Sequence, residues 1–174
     1  MTDTERKPPS KESLMNVRGD TFLENYDKHD IAQAWLVSKL EGAGFDVRQH
    51  GEDNRHADEI QFGEGPDLAV FRDDTLCGFV EVKCKTSSEW FGKLNRRHFN
   101  HYLDHDEEHD VPTFIFFALL DEDREMIVRD GIIPVDSEDQ IQGGFYAYGN
   151  EVVELDLDDT RNLQELYYCL NRGV

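Results

Sequence analysis

The 174-residue chain has no run of about 18 apolar residues, the length that a membrane-crossing helix requires. Its opening stretch, MTDTERKPPSKES, carries charges and prolines but no apolar segment, so it does not read as a secretory leader. The expected location is cytoplasmic. Cysteine is scarce. Cys77, Cys84 and Cys169 form no CxxC pair, which argues against a zinc ribbon or a disulfide framework and leaves small, partly buried apolar side chains in a reducing compartment. Positive charge is in short supply as well. Only 18 basic residues stand against 38 acidic ones, a formal net charge of -20 with a pI near 4.5.

Such acidity has three readings: disorder, mimicry of a nucleic acid, or adaptation to molar salt. Disorder is opposed by the apolar periodicity along most of the chain, and 38% apolar residues suffice for one buried core. The charges are scattered throughout, lysine numbers seven, and aspartate exceeds glutamate. That pattern is similar to proteins of haloarchaea and their viruses, where salt screens self-repulsion over about 3 Å at 1 M. The acidity therefore reads as environment ahead of mimicry.

Residues 1–20 are polar, include Pro8-Pro9 and show no periodicity, as expected of a mobile tail. Residues 21–174 read as a single domain. From Thr21 to Leu40 apolar residues recur at threes and fours, predicting an amphipathic helix with a break near His29 and Asp30, stopped by Gly42 and Gly44. The runs Leu68–Arg72 and Cys77–Val82, joined by Asp73-Asp74-Thr75, predict a β-hairpin. A helix is expected from Lys93 to about His105. Thr113–Leu120 (TFIFFALL) has the composition of a central strand buried on both faces. Met126–Val128, Ile132–Val135, Phe145–Tyr148 and Val152–Leu157 follow as short strands, and Leu163–Leu170 as a terminal helix. The fold class is α/β, a mixed sheet flanked by helices.

The hairpin carries the chemistry. Gly65-Pro66-Asp67-Leu68-Ala69-Val70 is followed after the turn by Gly78-Phe79-Val80-Glu81-Val82-Lys83. Alternate side chains of a strand share a face, so Glu81 and Lys83 point one way while Val80 and Val82 face the other core. Two charges on the inner side of an apolar strand are costly unless paired or bound to a metal. The short turn brings Asp67 opposite Glu81 and Lys83. Two carboxylates and an ammonium make a compact site for Mg²⁺, with Mn²⁺ as a substitute. Phosphodiester hydrolysis needs such a set: a metal as Lewis acid, an activated water, and a lysine to orient it or offset developing charge. The competing reading is an ordinary hairpin with a Glu81–Lys83 surface ion pair.

With Pro66-Asp67 and Glu81-Val82-Lys83 the chain resembles the PD-(D/E)xK nuclease superfamily. Through Leu40-Glu41-Gly42-Ala43-Gly44-Phe45-Asp46-Val47 it is similar to the archaeal Holliday-junction resolvases. The resemblance implies a restriction-endonuclease-like core of order αβββαβ over about residues 22–120, with 121–174 as an extension. It implies that Asp67 and Glu81 bind metal, that the Val82 carbonyl completes the site, and that Lys83 assists the nucleophile. Members carry an acid on the first helix; here Gln33 stands at that position, with Asp30 one turn earlier. Asp30 and Gln33 are thus both candidates. The implied activity is a Mg²⁺-dependent DNA endonuclease for junction resolution or viral genome processing, and the resolvases' habit suggests a homodimer. The alternatives are an inactive nucleic-acid-binding module on this fold and an acidic DNA-mimic or interaction protein.

A protein this acidic needs a local exception to hold branched or duplex DNA. Between Lys83 and Leu103 stand five basic residues and one acidic one, Glu89. Lys93, Arg96 and Arg97 at helical spacing are expected to grip phosphates, with Lys85 and Asn95 beside them and Trp90 as a stacking surface. Arg55, in Asn54-Arg55-His56, is a further candidate. His98, His101, His105 and His109 recur at threes and fours beside Asp104 and Asp106. Such a stripe can bind zinc, but without a cysteine partner exposed or phosphate-contacting histidines are the simpler reading.

Overall fold

The computed structural model describes residues 22–51, 65–85, 90–121, 126–135, 141–145 and 151–172; for 22–26 and 141–145 the backbone alone is described. The expected tail over 1–20 and the candidate Arg55 lie outside these residues.

Helix α1 (Phe22–Gly42) runs unbroken through His29 and Asp30, where a break was expected. No proline or glycine interrupts it before Gly42, and Ala32, Leu36 and Leu40, four residues apart, form a fully buried stripe. Gly44 then takes φ +88, a conformation that costs glycine little, and the chain enters β1 (Asp46–Gln49). The hairpin follows as β2 (Leu68–Arg72) and β3 (Thr75–Lys85). Its two-residue turn places Asp73 and Asp74 at φ 49 and 61, the primed geometry that suits strand twist and that aspartate tolerates.

The helix expected from Lys93 begins later. Gly92–Asn95 is a strand, β4, and α2 spans Arg96–His109. Asn95 is the reason: its side chain accepts from the Arg97 N–H at 3.0 Å and caps the helix. Strands β5 (Thr113–Asp121) and β6 (Met126–Pro134) form the next hairpin, so the two runs expected around residues 126 and 132 belong to one strand. After β7 (Ile141–Phe145) and β8 (Glu151–Leu155), helix α3 (Leu163–Arg172) closes the chain. It starts in a reciprocal cap: Asn162 N–H donates to Glu165 at 2.9 Å, and Glu165 N–H donates to Asn162 at 3.1 Å.

Five strands make the central sheet in the order β1-β2-β3-β5-β6, antiparallel except for the parallel pair β3·β5. Strands β4-β8-β7 make a second, antiparallel sheet. On one face of the central sheet, Val80, Val82, Phe114 and Phe116 pack with Leu36 and Leu40 of α1 and Leu166 and Leu170 of α3. On the other, Ile115, Phe117 and Ile133 pack with Phe99 and Tyr102 of α2 and Val153 and Leu155 of β8. Strand β5 is buried on both faces, as its composition predicts. Cys77, Cys84 and Cys169 are free thiols in or against the first of these clusters. Among the described residues no helix is long and apolar enough to cross a membrane.

Candidate active site at the end of the first hairpin

Strand register decides the site. Leu68 pairs with Val80, which sets Asp67, the residue before β2, against Glu81 and Val82. One oxygen of Asp67, Oδ2, accepts the Val82 backbone N–H at 2.8 Å, locking the carboxylate to the neighbouring strand. Glu81 and Lys83 alternate onto the face beneath α2, beside Ile115 and Phe117 in the register of β5. The Lys83 ammonium is hydrogen-bonded to Glu81 Oε1. The Glu81 side chain is 7% exposed and that of Lys83 32%, so the carboxylate is sunk and the lysine largely covered above it. Asp67, Glu81 and Lys83 thus come together as the sequence predicts.

Among the described residues two further side chains join the cluster, and neither was singled out from sequence. His29 of α1 places Nε2 3.2 Å from Asp67 Oδ2. Of the two candidates on that helix, Gln33 donates instead to Gln49 at 2.8 Å, and Asp30 lies 4.0 Å from the other side of the His29 ring. The residue that α1 presents to Asp67 is the histidine. From α2, Tyr102 sets its hydroxyl against the Glu81 carboxylate and favours its charged form. Its spacing of three from Phe99 reads only as a core position of a helix; a buried phenol also needs a partner for its hydroxyl, and that is the signal by which it could have been found.

The charges are mutually adjusted. Burial raises the Glu81 carboxyl, and the neighbouring Asp67 charge adds to this, against the opposing pull of Lys83. Burial would likewise raise Asp67, but the hydrogen bond and charge of His29, then Lys83, carry it below its ordinary value. Burial works to lower His29 and Lys83, yet their carboxylate partners dominate and hold both above their usual values. The result is a cluster of two carboxylates bracketed by the His29 imidazole and the Lys83 ammonium.

His98 on α2 behaves oppositely. Burial, followed by the positive charges of Lys83, Arg97 and His101, pushes its imidazole down to about 4 from 6.5. Below pH 6.5 the unfolded chain takes up a proton that the folded chain refuses. Stability is therefore full above about 6.5 and declines as the pH falls toward about 4. One proton sets a ceiling of about 1.4 kcal/mol per pH unit, and solvent around this part-exposed ring lowers it. Melting temperature against pH should flatten over this range in His98→Gln; superimposable profiles would remove His98 as the cause.

The expected DNA-gripping stripe is divided by the fold. Lys93 lies on β4 and its ammonium pairs with Glu154 of β8 at 3.2 Å. Arg96 pairs with Glu151 at 2.6 Å, while Arg97 is exposed on the first turn of α2. Lys85 lies over the Phe91 ring, 4.2 Å from its centroid, and donates to the Phe91 carbonyl. Asn95 is occupied as the helix cap. Trp90 donates to the Leu157 carbonyl at 2.8 Å, with Arg129 over its ring. These groups are shared between two strands, a helix cap and the first turn of α2, not arrayed along one helical face.

No protein-family model matches the sequence, and none of the curated proteins matches it. Among solved structures the chain is similar to the Holliday junction resolvase Hjc of Archaeoglobus fulgidus, an archaeal hyperthermophile. The TM-score is 0.57 at 14% identity, over 81% of this chain and 96% of the resolvase. The chain has that resolvase's fold. A bacterial homing endonuclease superposes at a TM-score of 0.39 with 20% identity, over 84% of this chain and 91% of that one, too loosely to bear on the architecture.

Proposed function

We propose that the chain is a metal-dependent DNA endonuclease of the PD-(D/E)xK type, hydrolysing phosphodiester bonds without a covalent intermediate. The observation that carries the reading is the convergence of Asp67, Glu81 and Lys83 at one end of the hairpin, with Asp67 fixed to the Val82 N–H. The donor set fits a hard divalent cation. The Asp67 charge disfavours ionisation of the neighbouring Glu81, a repulsion that Mg²⁺ or Mn²⁺ would relieve. Asp67 and Glu81 would hold the ion, with the Val82 carbonyl as the further oxygen that the family resemblance implies. When bound, the ion supplies Lewis acidity and a more acidic water. Lys83 would orient the attacking water and offset charge gathering on the phosphate, while His29 and Tyr102 would hold the two carboxylates in place. Lys83, Lys85 and Arg97 offer the positive rim for a DNA backbone, and the ion pairs of Lys93 and Arg96 are of the weak surface kind that a phosphate can displace.

The test is a Mn²⁺ titration followed by cleavage of branched, single-stranded and duplex DNA in molar salt. Metal binding lost in Asp67→Ala, together with cleavage of at least one substrate, is the expected outcome. If no substrate is cut with Mn²⁺ present, the enzyme reading fails. Preference for a four-way junction, and a chain that sediments as a dimer, would carry the finer proposal of junction resolution by a homodimer.

One observation favours a second reading, an inactive DNA-binding module: the first helix sets an imidazole against Asp67. The sign of a single variant separates the two. If His29 orients Asp67 for the metal, His29→Ala should weaken Mn²⁺ binding and cleavage by about 10- to 100-fold. If His29 instead occupies the carboxylate in place of the metal, the same variant gains metal affinity and the inactive reading stands.

A further inference from the structure

We infer that His50, His105, Glu108 and His109 bind a zinc ion that ties the end of β1 to the last turn of α2, at a site apart from the two carboxylates and independent of the nuclease reading. Of the histidine stripe along α2, the fold sends His98 toward Lys83 and gathers only His105 and His109 with a third imidazole from another element. His105, Glu108 and His109 follow the i, i+3, i+4 pattern of one helix face, and their ligand atoms all lie within 4.8 Å of one another. Two imidazoles four residues apart on a helix are a zinc-binding arrangement in their own right.

His50 arrives from the opposite side. Its Nε2 is 3.0 Å from His105 Nε2. Nitrogens bound to one tetrahedral zinc at about 2.0–2.1 Å lie roughly 3.3 Å apart, so this pair is spaced for one ion, and His50 completes the set by swinging toward Glu108 and His109, whose close group it does not yet join. Without an ion the pair can share only one proton, and the other nitrogen of His105, Nδ1, is buried with no hydrogen-bond partner among the described residues. The Phe79 ring forms a floor beneath all three imidazoles, with centroids 4.9, 4.8 and 5.1 Å from His50, His105 and His109. Three nitrogens and one carboxylate select zinc over the harder Mg²⁺. The site also lies where α2 ends, at His109, and the free carbonyls of a helix C-terminus favour a cation.

The position gives such a tie a consequence. The His50 and Gly51 N–H groups both donate to the Asp67 carbonyl, at 2.8 and 3.1 Å. Gly65 packs over the imidazoles so closely that a Cβ there would stand 2.8 Å from His105 Nε2. A zinc ion at this point holds the end of β1, and through its two hydrogen bonds the Asp67 carbonyl, against α2.

Calorimetric titration of the full chain with Zn²⁺ in excess Mg²⁺, with Co²⁺ as a spectroscopic stand-in for tetrahedral geometry, tests the inference. One Zn²⁺ per chain is expected, with a rise in melting temperature. Binding should survive Asp67→Ala, weaken at least about tenfold in His109→Ala, and vanish in the His105→Ala/His109→Ala double variant. His109 is exposed, so its replacement leaves the fold intact; the melting temperature without zinc checks this. Zinc affinity unchanged in both histidine variants, or lost in Asp67→Ala, would overturn the site.

Discussion

Lys83→Ala is expected to lose DNA cleavage by about three orders of magnitude while keeping both Mn²⁺ and DNA bound. Removing a group that acts on charge developing in the transition state costs about 10²–10³ in rate, and one that also orients the nucleophile costs more. Ground-state binding does not need this ammonium, because Asp67 and Glu81 supply the metal's oxygens and Lys85 and Arg97 remain for the backbone. Both kcat and kcat/KM should therefore fall together. The variant leaves Glu81 without its partner, but burial already raises the Glu81 carboxyl, so a proton or the metal can take the ammonium's place. Equilibrium binding to a catalytically arrested substrate, rate measurements and a thermal melt separate these effects. Cleavage at the wild-type rate would sink the assignment of Lys83, and an unfolded variant would show that the pair is structural.

Local chemistry made most of the central sheet legible. The apolar spacing of α1, the two aspartates of the turn and the unbroken TFIFFALL run each reflect interactions within a few residues. The elements misread from sequence owe their form to distant partners. Lys93 and Leu94 continue the apolar spacing of α2, yet they are strand residues because β8 pairs with them some 60 positions later. The polar Arg129-Asp130-Gly131 divides β6 in sequence but not in space, since the whole run pairs with β5, and β6 is the last strand of its sheet, its outer side bridged by Arg161 at Ile132. The site shows the same division. Asp67, Glu81 and Lys83 were legible because a hairpin with a short turn brings the two strands side by side, although a bulge between Val70 and Phe71, unmarked in the sequence, shifts the register by the one residue that sets Asp67 opposite Glu81. His29 was not, because which residue of α1 meets Asp67 depends on how that helix crosses the sheet, and periodicity does not encode the crossing. Tyr102 was visible only as an apolar position, and its hydroxyl gains meaning once Glu81 lies beneath it.

The triple replacement Glu81→Met, Lys83→Met and Tyr102→Phe should abolish cleavage and metal binding, yet leave the protein at least as stable as the wild type without metal. Glu81 is 5% exposed and Tyr102 4%, so their polar atoms lie within the layer formed by Ile115, Phe117 and Phe99. Exchanging a buried ion pair for apolar side chains of similar volume is commonly neutral or stabilising by about 1–4 kcal/mol, because the desolvation cost of the charges disappears with them. Replacing all three together matters: a single change strands a buried carboxylate or hydroxyl, which costs about 1–3 kcal/mol or more. Asp67 stays held by Val82 and His29. For a chain of this size a gain of that order is several degrees in melting temperature. A stable, inert variant is what a polar cluster kept for chemistry predicts, since such a site holds its charges at the expense of the fold. A melting temperature several degrees lower would mean that the cluster supports the core, and the ordinary-hairpin reading of Glu81 and Lys83 would regain its place.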